Sequence, residues 1–269
     1  MPWTFKGRAK RLDDIDLPRL GARIGVGEDE LHAFLDVEAN GAGFDSLGRP
    51  KMLFEPHRFY ALLGPGKARD LAVSKGLAYE RWGTKPYPSD SYPRLLAAME
   101  IDETKALKAA SWGLTQILGE NHGTVGYSTV QGMVSAFMDD EEKHLEAMVQ
   151  FLIANHIDDD LKAHRWDVVA RVYNGPGYAK NAYHTKMAAA YAKWQKIRDT
   201  PWTAETAKPE PPPPPPPVLP APTSTNPVTP SPAPEPLSPE ATGGAARVVI
   251  GLIAAAGAAL AAWIFGVHP

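Results

Sequence analysis

Seven consecutive prolines, Pro211 to Pro217, constrain this chain more than any other stretch. Proline locks φ and lacks an N–H, so such a run favours polyproline II and cannot pack into a core. The wider segment from Lys208 to Glu240 has the same character and reads as a semi-rigid spacer. It divides the chain of 269 residues into unequal parts. Residues 12–202 carry the mixed pattern of one globular domain, after a basic extension at 1–11. Residues 203–246 form the spacer. Residues 247–269 contain an uncharged run, Val248 to Val267, long enough to cross a bilayer at 1.5 Å per residue. That run predicts a single C-terminal membrane span. Arg247 is the only cation beside it, which weakly places the large domain on the cytoplasmic side.

Composition excludes several classes. With no cysteine, neither a disulfide nor a thiolate metal site is possible. Charges are mixed, with a net of -3, so no extended nucleic-acid surface is expected. The basic N-terminus is followed by no apolar run and does not read as a cleavable secretion signal.

Within 12–202, almost every long periodic segment is helical. Helices are expected at Asp16 to Ile24, from Val26 through Glu38, at Gly66 to Lys75, around Arg94 to Met99, and from Asp102 onward. More follow Ser128 and Asp139, at Asp167 to Val172, and from Asn181 to Arg198. Capping boxes are read at Ser128/Gln131 and Asp139/Glu142. The four acids Asp139 to Glu142 are explained by helix-start charge and a solvated face. At most a small sheet is expected, near Leu47 to Phe54. The fold class is therefore mainly α.

Glu38 stands out. It falls in the last turn of its helix, on the side shared by Leu31, Phe34 and Leu35. Asn40, Gly41 and Gly43 then break the helix. A carboxylate there opposes the helix dipole, and burial would raise its pKa. That suits a general acid, although a merely exposed glutamate fits the same position. Other polar groups that could share a cleft are Asp45, Glu55, His57, Ser111 to Gln116, Tyr173 and Asn174. A metal site from Glu55, His57 and His122 lacks any HExxH or histidine-rich pattern. Ser111 lacks a Gly-x-Ser-x-Gly elbow. No metal and no cofactor are expected. A glycosidase needs one acid beside apolar groups and polar side chains around a sugar or water. Aromatic surface from Trp82, Trp112, Tyr127, Tyr173 and Tyr178 would help.

Four motifs, Val37-Glu-Ala-Asn-Gly-Ala-Gly-Phe44, Gly48-Arg-Pro-Lys-Met-Leu-Phe-Glu-Pro-His-Arg-Phe59, Ser111-Trp-Gly-Leu-Thr-Gln-Ile117 and Tyr173-Asn-Gly-Pro-Gly-Tyr178, resemble the N-acetylmuramidase family of phage and prophage endolysins. The resemblance covers roughly Leu12 to Trp202 and extends to the wider lysozyme-like superfamily with its soluble lytic transglycosylases. Here Thr115 stands where that superfamily's Gly-Leu-Met-Gln-Ile motif has methionine. Ala39 stands where it usually has serine. The resemblance implies a lysozyme-like domain that cleaves the β-1,4 bond between N-acetylmuramic acid and N-acetylglucosamine. It implies Glu38 as the catalytic acid, with Gln116, Tyr173 and Asn174 lining subsites, joined by Trp112 and Tyr178. A second carboxylate would be Glu55, with Asp45 as runner-up; Glu55 can also be read as a structural partner of Arg49 or Arg58. Alternative functions are a lytic transglycosylase and a non-catalytic, membrane-tethered wall-binding module. The implied partners are peptidoglycan strands and, through the C-terminal segment, the inner membrane. Holin-dependent release is plausible, and the side on which the domain lies stays open.

Overall fold

The computed structural model describes residues 3–39 and 41–203. The proline-rich spacer and the Val248 to Val267 span lie outside them, as does Asn40. Among the described residues no helix is long and apolar enough to cross a membrane.

Ten helices and a small sheet build the described part of the chain. They run α1 (Asp16–Ala22), α2 (Glu28–Glu38), β1 (Met52–Phe54), α3 (Pro56–Leu63), α4 (Lys67–Ser74) and α5 (Tyr92–Lys108). Then follow β2 (Ala110–Trp112), β3 (Ile117–Leu118), a 3-10 turn (Gly119–His122), α6 (Val130–Asp139) and α7 (Glu141–Ala154). The domain closes with α8 (Asp158–Lys162), α9 (Trp166–Asn174) and α10 (Tyr183–Trp194).

The acids that open α2 occupy its first turn, where they complement the dipole. Glu30 reaches back to accept the Gly27 N–H at 3.0 Å. Leu31 and Phe34 are fully buried, as their spacing requires. Phe34 meets Tyr173 of α9 edge-on, with ring centroids 4.6 Å apart. On α7 the stripe Leu145, Met148, Val149 and Leu152 is completely inside. Each such side chain contributes about 1.5–3 kcal/mol on burial, far more than helix propensity does. Tyr183 and Met187 seat α10 against α2 and α9. Asp102 interrupts α5 with φ -158 and ψ 102, and its Oδ1 accepts the Lys105 N–H at 2.9 Å. The range Tyr92–Lys108 thus holds the two helices read from the sequence, meeting at a kink where Asp102 caps the second.

Three expectations need correction. The sheet is antiparallel, ordered β1-β2-β3, so two of its strands come from the Ser111 region rather than from Leu47 to Phe54. Its register pairs Met52 with Trp112, Leu53 with Ser111 and Trp112 with Ile117. Short non-local strands leave no readable alternation, since only the pairing defines them. Neither capping box forms, and each helix is capped one residue later than read. Thr129 caps α6 by accepting the Gly132 N–H at 3.0 Å, while Gln131 donates to Thr104 Oγ1 at 2.9 Å. Asp140 caps α7 by accepting the Glu142 N–H at 2.9 Å, and Asp139 accepts from the Arg8 N–H. Finally, the acids Asp139 to Glu142 are no solvated face. Glu141 is only 3 % exposed, and its oxygens take the N–H groups of Gly43 at 2.6 Å and Leu12 at 3.1 Å.

Candidate active site

Glu38 is the last residue of α2. Ala39 after it is already extended, at φ -99 and ψ 129. The chain then turns through Gly41, at φ +75, a conformation that favours glycine. Gly43 is needed for a different reason. A Cβ there would lie 2.6 Å from His144 Nδ1 and 3.0 Å from the Glu141 side chain. Its carbonyl accepts the Lys51 N–H at 2.7 Å, which joins the turn to the start of β1.

The first turns of α7 hold two loops at once. Glu141 secures Gly43, as described. His144 is fully buried and accepts the Leu114 N–H on Nδ1 at 3.0 Å, while Nε2 lies 2.8 Å from the Phe137 carbonyl. Accepting on one nitrogen and donating on the other describes a neutral imidazole. Burial pushes its pKa down to about 4, so it stays neutral. Thr115 donates to the His144 carbonyl at 3.2 Å and is buried. A methionine at 115 would lack that donor. Gly113, at φ +73, leaves room for the His144 ring 2.7 Å from where a Cβ would stand. Glu141 and His144 escaped the sequence reading. Their acidic neighbours suggested a solvated helix start, and a lone histidine carries no spacing signal.

The end of α9 completes the arrangement. Tyr173 donates its hydroxyl to the Thr115 carbonyl at 2.8 Å, and Asn174 Nδ2 donates to Glu38 Oε1 at 2.6 Å. Adjacent residues therefore grip the 113–116 turn and the Glu38 carboxyl. Asn174 is fully buried, and its Oδ1 has no protein partner. Gln116, in left-handed backbone at φ +52, donates to the Gly113 carbonyl at 2.8 Å; its buried Oε1 is unpartnered. Glu38 is half-buried, with Oε1 taken by Asn174. Burial raises its pKa from 4.5 to about 7, against the opposing pull of the Asn174 hydrogen bond and the Lys186 charge.

The other sequence candidates sit elsewhere. Asp45 spends both oxygens on its own turn: Oδ1 accepts the Leu47 and Arg49 N–H groups, and Oδ2 takes Arg49 Nε at 2.7 Å. Glu55 caps the start of α3, fully buried, and Oε1 accepts from Ser111 Oγ at 2.9 Å. Its Oε2 has no hydrogen-bond partner and lies 3.6 Å from His57 Nε2. Burial lifts its pKa to about 7, opposed by the Ser111 hydrogen bond and by Arg58, and reinforced by Glu120. Glu55 forms no ion pair with Arg49 or Arg58. Arg58 pairs with Glu120 at 2.6 Å, and Arg49 with Asp45 and Asp90. Glu55 stands four residues beyond Lys51, about 13 Å along an extended strand, so it lies at the far end of β1 from the Gly43 turn.

Trp112 is in the core rather than on a cleft surface. It is 0 % exposed, and its Nε1 donates to the Leu107 carbonyl at 3.0 Å. Tyr178 is partly buried with its ring edge-on to His184 at 5.3 Å. Trp82 is exposed, and Tyr127 is half-buried against Phe137. His122 Nδ1 is 3.0 Å from the Gly119 carbonyl.

A half-buried carboxyl at a helix end, held by a buried asparagine, is a place for proton transfer. Comparison with known proteins agrees. The N-acetylmuramidase family profile matches residues 28–195, more than half of the chain. The fold matches the crystal structure of Burkholderia AP3 phage endolysin, with 34% sequence identity and a TM-score of 0.63. The match covers 70% of this chain and 72% of that one. No curated protein sequence matches significantly. The chain therefore belongs to the N-acetylmuramidase family and is a lysozyme-like glycoside hydrolase acting on peptidoglycan.

Proposed function

We propose that this chain cleaves the β-1,4 bond between N-acetylmuramic acid and N-acetylglucosamine, with Glu38 as general acid. The observation that carries this is the Glu38 carboxyl at the end of α2, with Asn174 Nδ2 on Oε1 and its pKa lifted by burial to about 7. A carboxyl with that pKa holds a transferable proton near neutrality, where an ordinary glutamate has none. Glu38 gives its proton to the bridging oxygen, the anomeric C–O bond breaks, and positive charge develops at the muramyl carbon. Asn174 orients the carboxyl, and Tyr173 holds the turn that presents Gln116. Gln116 and Asn174 border the subsites that hold the sugar rings on either side of the bond. Tyr178, beyond the end of α9, borders the same subsites.

Two fates are open to the electrophilic carbon. A hydrolase supplies water and gains from a second carboxylate as base. Glu55 keeps one uncommitted oxygen, Oε2, whereas those of Asp45 are taken by its own turn, but Glu55 is fully buried at the far end of β1. One observation favours the alternative, lytic transglycosylation. A base must be ionised, whereas burial keeps Glu55 protonated until pH reaches about 7. In that reading the muramyl 6-hydroxyl attacks the anomeric carbon, and Glu38, left ionised by its first proton transfer, takes the hydroxyl proton, so no second carboxylate is required. Mass spectrometry of the digestion products decides. Reducing muramic-acid ends support hydrolysis; 1,6-anhydromuramic ends, lighter by one water, overturn it. The C-terminal run at 247–269 tethers the enzyme to the inner membrane, and release through a holin-dependent lesion brings it to the wall.

A further inference from the structure

A cavity of about 760 Å³ opens beside the end of α2. One wall is the stripe Glu28, His32, Leu35, Asp36 and Ala39, a face of α2 distinct from the one that buries Leu31 and Phe34. Facing it is the N-terminal arm with Arg11, Asp13 and Asp14. Gly41 and Leu114 close the end nearest Glu38, so the cavity begins on the turn that follows the acid. From Ala39 to Glu28 is eleven residues of helix, or roughly 16 Å.

The lining is amphoteric over an apolar floor. Leu17, Leu35 and Leu114 supply the floor. Most of the acids are already engaged: Asp36 accepts from Trp194 Nε1 at 2.9 Å, Glu28 from the Thr200 N–H at 2.7 Å, and Asp13 from the Ile15 N–H at 3.2 Å while pairing with Lys10 at 3.6 Å. Asp14 makes no hydrogen bond or ion pair among the described residues, and it is exposed. Arg11 touches Glu141 through Nε at 3.1 Å and remains 56% exposed. A ligand suited to this groove is elongated, carries an ammonium for Asp14, and carries a carboxylate for Arg11.

We propose that this groove binds the peptide stem of peptidoglycan. The inference rests on the muramidase reading of the Glu38 site. Each muramic acid bears such a stem on its lactyl group, next to the scissile bond. The stem is a short peptide that ends in a carboxylate and includes a diamino acid with a free ammonium. Four to five extended residues span about 13–17 Å, the length of the groove. Its root lies where the groove meets the Glu38 turn, and its ammonium meets the acid-rich wall. The enzyme thereby reads the substituent as well as the sugar backbone.

The test uses the full-length protein on two substrates: glycan strands with their stems, and the same strands stripped by an amidase that cuts the lactyl amide. Wild type should have a lower KM on the stem-bearing strands. Asp14→Lys reverses a charge that has no partner inside the protein, so folding is not at stake. It should raise KM on stem-bearing strands about fivefold, the scale of one exposed ion pair, with stripped strands unaffected. Free L-Ala-D-Glu-diaminopimelate should inhibit the wild type competitively, and the variant less. Equal KM on both substrates, or an Asp14→Lys variant that does not discriminate between them, overturns the stem site while leaving the muramidase reading intact. Failure to cleave either substrate overturns the muramidase reading itself, and the stem site with it.

Discussion

Replacing Glu38 with glutamine should abolish activity and stabilise the protein, and the stabilisation should depend on pH. The amide can still accept from Asn174 Nδ2, which reaches Oε1 at 2.6 Å in the wild type. It has no proton to transfer. Removal of a general acid slows a reaction about 10²- to 10⁴-fold, so the residual rate should fall in that range. The stability argument comes from the same pKa. Glu38 moves from 4.5 to about 7 because folding buries it. Between those values the folded state binds more protons than the unfolded state, so wild-type stability falls as pH rises. Each pKa unit is worth about 1.4 kcal/mol, which makes the full destabilisation about 3 kcal/mol once pH exceeds 7. Glutamine escapes it. Glu38→Gln and wild type should melt together near pH 4.5. Near pH 8 the variant should be more stable by up to about 3 kcal/mol, or roughly 6–12 °C in a domain of this size. Thermal melts across this range, alongside muropeptide release, measure both effects. A variant with near-wild-type turnover would refute the assignment of the acid. A melting difference that does not change with pH would refute the claim that a half-buried carboxyl is being ionised.

Further outcomes can be checked by separate measurements. The kcat/KM profile should decline on its alkaline side with an apparent pKa near 7, because the acid must be protonated; a plateau through pH 9 would contradict this. Glu55→Gln keeps an acceptor for Ser111 and should cost far less activity than Glu38→Gln, as initial rates on purified peptidoglycan will tell. Gly43→Ala drives a methyl to 2.6 Å from His144 Nδ1 and should destabilise the domain by about 1–3 kcal/mol in chemical denaturation. Full-length protein should stay in the membrane pellet after high-salt washing, whereas a chain ended at Glu240 should not; equal behaviour would remove the C-terminal anchor.

Much of this protein was legible in its sequence because the signals are local. Helical periodicity placed the buried faces of α2 and α7. Asp102 announced its cap, and the glycines after Glu38 announced the end of a helix that carries an acid. The motif around Tyr173 and Asn174 singled out two residues that the structure ties to the Thr115 turn and to Glu38. What contacts they make depends on pairings across the chain. Tyr173 reaches Thr115, and Asn174 reaches Glu38, across separations of 58 and 136 residues. The same holds for Glu141 and His144. As a run of acids and a lone histidine they looked like a solvated helix start, yet they tie down the Gly43 turn and the Leu114 loop. Trp112 looked like a sugar platform and is core, because β2 is the central strand. Local chemistry determined which residues could serve as acid, turn and cap. Only tertiary burial decided that Glu38 holds its proton near neutrality, because the surroundings that set its pKa, Asn174 and Lys186 among them, lie far from it along the chain.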